Sequence, residues 1–313
     1  MDSWNAAANG RKDMRATIQL CTYNRAHLLG RVLDACFEQT MDAAEYEVVL
    51  VNDGSQDETP QVIDQAKKRA TCAFTVIDQA NSGLAKGRNA GIAAARGERI
   101  ILIDDDILPT PRFVEEHLAT HQAYPGDVIR GSVINTQSFD DLPPPVYSLK
   151  HYSGNFFWTS NVSVPLETLR AIGGFNETFS EYGWEDIDVG LRLRARGLKS
   201  RFNPKALVFH YKPRPTAANV EGMLRQARAQ ARTAVQLAKL HPHWRAHLAT
   251  GNTAAQRLLH KWIRGIGAAR TFSSMLGGAP AGRPLSGTQL FAAQRLAADA
   301  YFEELEKARA AAD

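Results

Sequence analysis

The chain has 313 residues, enough to bury a full core as one large domain with an extension or as two domains. Its ordinary composition, 44% hydrophobic and 22% charged, excludes a disordered or fibrous chain, and a formal net charge of +4 is too small to point to nucleic acid. Three cysteines (Cys21, Cys36, Cys72) without CxxC spacing suggest neither a disulfide framework nor a zinc site, which fits a reducing compartment. The first fifteen residues lack an apolar core and no apolar run approaches the ~18 residues of a spanning helix, so a cytoplasmic protein is expected.

Residues 1–14 read as a flexible tail. Strand and helix patterns then alternate: strand Ala16–Cys21, helix Ala26–Gln39, strand Tyr46–Asn52, helix Thr59–Arg69, strand Phe74–Asp78, helix Leu84–Arg96, strand Arg99–Ile103 and helix Arg112–Gln122. Near-continuous Val/Ile/Leu runs between helices predict a mostly parallel central sheet covered on both faces. Asp127–Val133 and Phe157–Val164 read as further strands joined by a proline-rich loop through Pro143, Pro144 and Pro145, and Gln137–Tyr152 is a candidate lid. A helix starts near Glu185, and Arg201–His210 is a last extended segment. The catalytic domain is therefore expected over residues 15–212, and a helical extension over 213–313, with helices at Asn219–Leu240, Thr253–Ser274 and Ser286–Ala311. Between Arg214 and Arg270 the single acid Glu221 stands against ten Arg and Lys residues. A basic helix beside Leu258, Leu259, Trp262, Ile263 and Ile266 suits peripheral contact with an anionic membrane, and equally an ordinary face whose apolar stripe docks on its own protein.

Chemistry concentrates in strand-end clusters. Ile100-Ile101-Leu102-Ile103 delivers Asp104, Asp105 and Asp106 to a carboxyl edge, where open α/β sheets bind ligands. Three adjacent acids suit a hard divalent cation carrying a phosphorylated substrate, or a solvated turn. Asp53-Gly54-Ser55 follows another apolar strand; it can aim a carboxylate at ligand N–H groups, with Ser55 available to cap the next helix. Asn81-Ser82-Gly83 with Lys86, Gly87 and Arg88 leads into a helix, which favours a diphosphate, though close helix–sheet packing also explains the glycines. Gly183-Trp184-Glu185-Asp186 opens a helix; its acids suit the helix dipole, and also a general base with its neighbour. His210 closes an apolar strand as a lone imidazole.

In their order and spacing these clusters resemble the inverting family 2 glycosyltransferases of the GT-A fold. The matching residues are Cys21-Thr22-Tyr23-Asn24-Arg25, Val51-Asn52-Asp53-Gly54-Ser55, Gly87-Arg88-Asn89-Ala90-Gly91, Asp104-Asp105-Asp106, Gly173-Gly174-Phe175 and Glu185-Asp186-Ile187-Asp188. The resemblance covers roughly residues 15 to 212 and implies a Rossmann-like GT-A sheet. It also implies a nucleotide-sugar donor, most often a UDP-sugar, and Mn²⁺ or Mg²⁺. Thr22, Tyr23 and Arg25 would line the nucleotide pocket and Asp53 would bind the base. Lys86 and Arg88 would lie near the diphosphate or ribose, and Asp104, counted with Asp105 among the donor-binding residues, would touch ribose or sugar. Asp106 would bind the metal, with Asp104 and His210 as further ligands. Asp186 would be the catalytic base and Glu185 would contact acceptor or donor sugar, while Trp184 and Asn161 would shape the sugar site.

The expected reaction is metal-dependent, inverting transfer to a hydroxyl of a glycan, lipid-linked or other acceptor, in glycan, polysaccharide or glycolipid biosynthesis. A polyprenyl-phosphate sugar synthase is a variant whose phosphate acceptor needs no strong base. A sugar nucleotidyltransferase is disfavoured because Thr22-Tyr23-Asn24-Arg25 stands where a Gly-rich signature belongs. A non-catalytic sugar-nucleotide-binding protein is disfavoured by the intact acidic sets.

Overall fold

The computed structural model describes residues 14–146, 156–265, 267–277 and 282–311. The expected tail up to residue 13, and the part of the candidate lid from 147 on, lie outside them. The chain divides into two compact units, Met1–Thr178 with Val189–Lys212, and Phe179–Asp188 with Pro213–Asp313.

The first unit is built on β1 (Ala16–Thr22), α1 (Ala26–Phe37), β2 (Tyr46–Asn52), α2 (Thr59–Arg69), β3 (Ala73–Asp78), α3 (Leu84–Ala94), β4 (Arg99–Leu102), β5 (Ile107–Pro109), α4 (Phe113–Ala123), β6 (Val128–Thr136), β7 (Val162–Pro165) and α5 (Leu166–Ala171). Helix α6 (Glu185–Ala195) crosses between the units, and β8 (Ser200–Tyr211) returns to the first. The eight strands form one sheet in the order β3-β2-β1-β4-β7-β6-β8-β5. Its β3-β2-β1-β4 half is parallel throughout, whereas the other half mixes antiparallel pairs at β4·β7, β6·β7 and β5·β8 with the parallel pair β6·β8.

Period-two alternation sorts the strand side chains into two layers. Ile18, Leu20, Val48, Leu50, Ile101 and Ile103 pack under α1, α2 and α4, with Leu29, Leu33, Ile63 and Phe113. Ile100, Leu102, Val162 and Val164 face the other way, onto Ile92, Leu169, Val189 and Leu193 of α3, α5 and α6. Burial on both faces explains why the strands read as continuous apolar runs.

The second unit holds α7 (Val220–Leu240), α8 (Trp244–Ala249), α9 (Ala254–Gly265), α10 (Ala268–Leu276) and α11 (Gly287–Ala310). The helix expected over Thr253–Ser274 is two helices, because Gly267 takes φ +72° and breaks the right-handed path. Residues 179–188, expected within the catalytic domain, group with these helices. Trp184 packs with Ala231, Ala234 and Leu305, its Nε1 donates to the Gln230 carbonyl at 2.7 Å, and Arg232 binds Glu181 at 2.5 Å.

The expected strand Phe157–Val164 pairs only from Val162; before it, the Asn161 amide donates to the Trp158 carbonyl at 3.2 Å and turns the chain. Beneath that turn lie His117 and His121, one helical turn apart on α4. Ser163 Oγ meets His117 Nδ1 at 2.8 Å and His121 Nε2 at 2.9 Å, and Asn161 Oδ1 meets His117 Nε2 at 2.9 Å. Burial lowers His117 to about 4 and His121 to about 3, so both imidazoles stay neutral. Both folded values lie below the unfolded one of ~6.5, so the unfolded chain binds protons that the folded chain refuses. Stability therefore falls as pH drops below that value, by about 1.4 kcal/mol per pH unit for each proton taken up. In urea unfolding between pH 7 and pH 5, His121→Gln is expected to weaken this dependence by about one proton; parallel curves for variant and wild type would refute the neutral pair.

Candidate active site

The carboxyl ends of β1, β2 and β4 lie side by side, since register pairs Thr22 with Asn52 and Gln19 with Leu102. The loops leaving them fasten to one another. Asn24, at φ +54° where asparagine is tolerated, donates its amide to Ser55 Oγ at 3.0 Å and accepts from the Gln56 amide at 2.8 Å. Ser55 therefore ties two loops rather than capping a helix, contrary to expectation. That work falls to Asp57, whose two oxygens accept from the Thr59 amide of α2 at 3.0 Å and the Ala26 amide of α1 at 3.2 Å.

Asp53 organises the Gly-rich entry to α3. Its Oδ1 accepts from Gln79 Nε2 at 2.7 Å, the Ser82 amide at 3.0 Å and Ser82 Oγ at 3.2 Å, and its Oδ2 from the Gly83 amide at 3.0 Å. Burial alone would raise its pKa, but these donors outweigh it and hold the carboxyl below the usual range. Gly54 (φ +79°) sits so close that a Cβ would lie 2.6 Å from the Asn81 nitrogen.

The three acids after β4 have separate environments. Asp104 Oδ1 accepts from Arg88 Nη2 at 3.0 Å and its Oδ2 from Ser160 Oγ at 2.9 Å. Arg88 is only 4% exposed; it also donates to Thr159 Oγ1 at 2.6 Å and lies 5.1 Å from the centroid of the Phe175 ring. Phe175 is itself fixed by Asn89, whose side chain pairs with both its amide and its carbonyl, at 2.8 and 2.9 Å. This pairing is what the Gly173-Gly174-Phe175 sequence serves: a Cβ on Gly174 would stand 2.4 Å from Asn89 Oδ1. Asp105 turns inward, accepting from Thr22 Oγ1 at 2.8 Å, with Arg25 Nε at 3.5 Å. Burial pushes it up to about 7, against the lowering effects of Arg25 and Thr22. Asp106 is the least engaged: Arg25 Nη2 is 3.9 Å from its Oδ2, and His210 Nε2 is 3.6 Å from its Oδ1. His210 arrives there because β8 pairs it with Ile107 of β5, and the Tyr211 amide donates to the Asp106 carbonyl at 2.9 Å.

Of the expected residues, the structure thus joins Thr22, Arg25, Arg88, Asp104, Asp105, Asp106 and His210 in one cluster. Asp53 adjoins it through its amide, which donates to the Thr22 carbonyl at 2.9 Å. Tyr23 and Lys86 are exposed on the same loops and helix. Asn161, expected at the sugar site, is buried, and its Nδ2 donates to the Ser132 and Ala206 carbonyls, both at 2.9 Å, which braces the interior. Thr159, Ser160 and Gln79 were missed; the polar run Thr159–Asn161 inside an apparent strand was the signal for the first two.

In the second unit, Trp184 takes φ +63° after Gly183 at φ +122°, a backbone unusual for so bulky a residue. A Cβ on Gly183 would meet Gln230 Cγ at 3.0 Å, so the segment lies directly on α7. Glu185 and Asp186 open α6, where Asp186 Oδ1 accepts from the Ile187 amide at 2.7 Å, and Asp188 pairs with His241 Nε2 at 2.7 Å.

Among the described residues, no three His, Cys, Asp or Glu side chains converge into a preformed metal cage. Asp106 and His210 nonetheless form a two-donor corner beyond hydrogen-bond distance, which suits a cation held largely by substrate phosphates and water.

The profile described as "Glycosyl transferase family 2" matches residues 17–173, and one described as "Glycosyl transferase family group 2" matches residues 99–291. The chain belongs to glycosyl transferase family 2. It is 29% identical over 218 residues to validoxylamine A glucosyltransferase of Streptomyces hygroscopicus subsp. jinggangensis (strain 5008), covering 58% of this chain and 52% of that one. It is 22% identical over 243 residues to a chondroitin synthase of Escherichia coli, covering 63% and 34% of the two chains. The chain thus spans about half the length, or less, of these curated relatives. Among solved structures it superposes on mannosyltransferase PcManGT of Pyrobaculum calidifontis, in complex with GDP-Man and Mn²⁺, with TM-score 0.61 at 17% identity (98% and 89% coverage). TarS 1–349 of S. aureus in complex with UDP gives 0.56 at 18% (95% and 92%). The fold is that of the GT-A glycosyltransferases.

The buried Asp105 carries a prediction of its own. Its folded pKa lies above the ordinary carboxylate value, so its contribution to stability falls as pH rises from ~4 to 7. In the metal-free protein, carboxyl carbon NMR is expected to show Asp105 titrating near 7 and, in Thr22→Val, higher still. A midpoint in the usual range near 4 would show the group to be solvated.

Proposed function

We propose that this glycosyltransferase moves a hexosyl unit from a UDP-sugar to a hydroxyl of a glycan or lipid-linked acceptor, with inversion and with dependence on Mn²⁺ or Mg²⁺. The observation that carries this reading is the Asp106–His210 corner at the sheet's carboxyl edge, beside two acids already answered by Arg88 and Arg25. Asp106 and His210 would hold the cation, with Asp104, whose two oxygens each already accept a bond, as a weaker third ligand. When bound, the metal would neutralise charge on the departing nucleoside diphosphate.

The chain's own groups supply the rest. Tyr23 offers a ring for the base, and the second lone pair of Asp53 Oδ2 remains for one of its N–H groups. Lys86 sits in the first turn of α3, where the positive helix end and an ammonium together favour phosphate. Asp186 takes the proton from the acceptor hydroxyl as it attacks, and Glu185 with Trp184 orients the sugar. Attack opposite the leaving diphosphate inverts the anomeric centre without a covalent intermediate. We place the reaction in glycan, polysaccharide or glycolipid synthesis, with the basic C-terminal helices in peripheral contact with a membrane.

Calorimetric titration of UDP and GDP, each with and without Mn²⁺, tests the donor site. Mn²⁺-dependent UDP binding, weakened at least tenfold in Asp106→Ala, is expected; tighter binding of GDP would overturn the UDP assignment. Asp186→Asn is expected to bind UDP like wild type while transfer falls by roughly 10²–10⁴-fold, and near-normal transfer would remove Asp186 from the base role.

A further inference from the structure

Within the second unit, helix α9 is amphipathic in the reverse of the usual sense. A helix on a protein surface normally turns its apolar stripe inward and its charges outward. Here Arg257 and the buried His260 face inward, and the more exposed Lys261 and Arg264 reach across to α11. Arg257 Nε lies 3.6 Å from Glu306, Lys261 Nζ 3.2 Å from the same carboxylate, and Arg264 3.5 Å from Asp299 and 3.6 Å from Glu303. His260 Nε2 reaches Asp299 Oδ1 at 2.8 Å, and its ring stacks on Phe302 at 4.5 Å. With that face committed, Leu258, Leu259 and Trp262 point outward, 70%, 57% and 64% exposed.

Two further observations favour one kind of cover. Helix α8 also shows an outward apolar pair at i,i+4, Trp244 and Leu248, with Arg245 lying 4.8 Å over the Trp244 ring. The surrounding sequence is almost free of acids: from Arg214 to Arg270 only Glu221 opposes ten cations, and Lys261 and Arg264, flanking the apolar face, keep 64% and 46% of their side chains exposed. Trp and Leu outward with Arg and Lys beside them is the chemistry of a helix lying in the headgroup layer of an anionic bilayer.

We propose that the Leu258–Leu259–Trp262 face of α9 is the element that inserts into an anionic membrane surface, its register fixed by the ion pairs to α11. This rests on the peripheral membrane contact proposed above and names the side chains that make it. No helix among the described residues is long and apolar enough to cross a membrane, so the contact is interfacial.

The test uses the full chain and vesicles of phosphatidylcholine with or without phosphatidylglycerol, comparing wild type with a triple variant, Leu258→Ser, Leu259→Ser and Trp262→Ser. Wild type is expected to float with the anionic vesicles and the variant to bind them at least about tenfold more weakly, with UDP binding unchanged as the check on folding. Wild-type binding that the variant retains would overturn the assignment to α9 while leaving membrane contact standing. Failure of wild type to bind either vesicle would overturn both. Concentration-dependent dimerisation that the triple variant abolishes would assign the face to a second copy of the chain and overturn the proposal.

Discussion

The site is organised around the mutual repulsion of Asp104, Asp105 and Asp106. Adjacent like charges ~5 Å apart cost about 3 kcal/mol per pair at an effective dielectric near 20, so a strand cannot end in three carboxylates without outside help. The help comes from three separate elements: Arg88 from α3, Arg25 from the start of α1, and His210 from the far end of β8. The parallel half of the sheet supplies the first two because its carboxyl ends share one edge. The antiparallel β5·β8 pair supplies the third. The mixed topology is thus a condition of the site.

The same repulsion differentiates the acids. Asp105, turned into the interior and raised to about 7, braces β4 against β1 through Thr22. Asp104 is held by donors on both oxygens and can accept from a ligand only in addition to them. Asp106 alone keeps loose partners, at 3.6 and 3.9 Å, and so has the most to gain from a cation. Burying Arg88 requires α3 to approach the sheet closely. Gly91 and Gly87 permit this: a Cβ would stand 2.5 Å from Gln19 at the first and 3.2 Å from Cys21 at the second. Packing and anion-binding explanations of this Gly-rich segment are therefore compatible, since the packing is what sets the guanidinium in place.

Much of this was legible in the sequence because the signals are local. Apolar runs bounded by turn residues mark each parallel strand, and an acid after such a run falls on the ligand edge whatever the remaining topology. What escaped depends on contacts between distant residues. Nothing near Asn161 shows that its amide will be spent on Ser132 and Ala206, and nothing near residue 183 shows that Trp184 will pack on α7. The short β5 has too few residues to carry a period, and Gly267 breaks a helix whose pattern runs on across it.

The orientation of α9 is a different kind of omission. Periodicity establishes that a helix has two faces, but not which of them faces inward, and the default of apolar-in is a statement about neighbours. The relevant neighbour is α11, whose Asp299, Glu303 and Glu306 recur at i, i+4 and i+7 as do Arg257, Lys261 and Arg264 of α9. Two helices whose charges match in spacing and oppose in sign can zip along those rows, and each further pair fixes the rotation of both. Surface ion pairs contribute little singly, so a row of them determines orientation more than stability. Once that rotation is set, the apolar face has to look outward, and its exposure follows from the charge pattern.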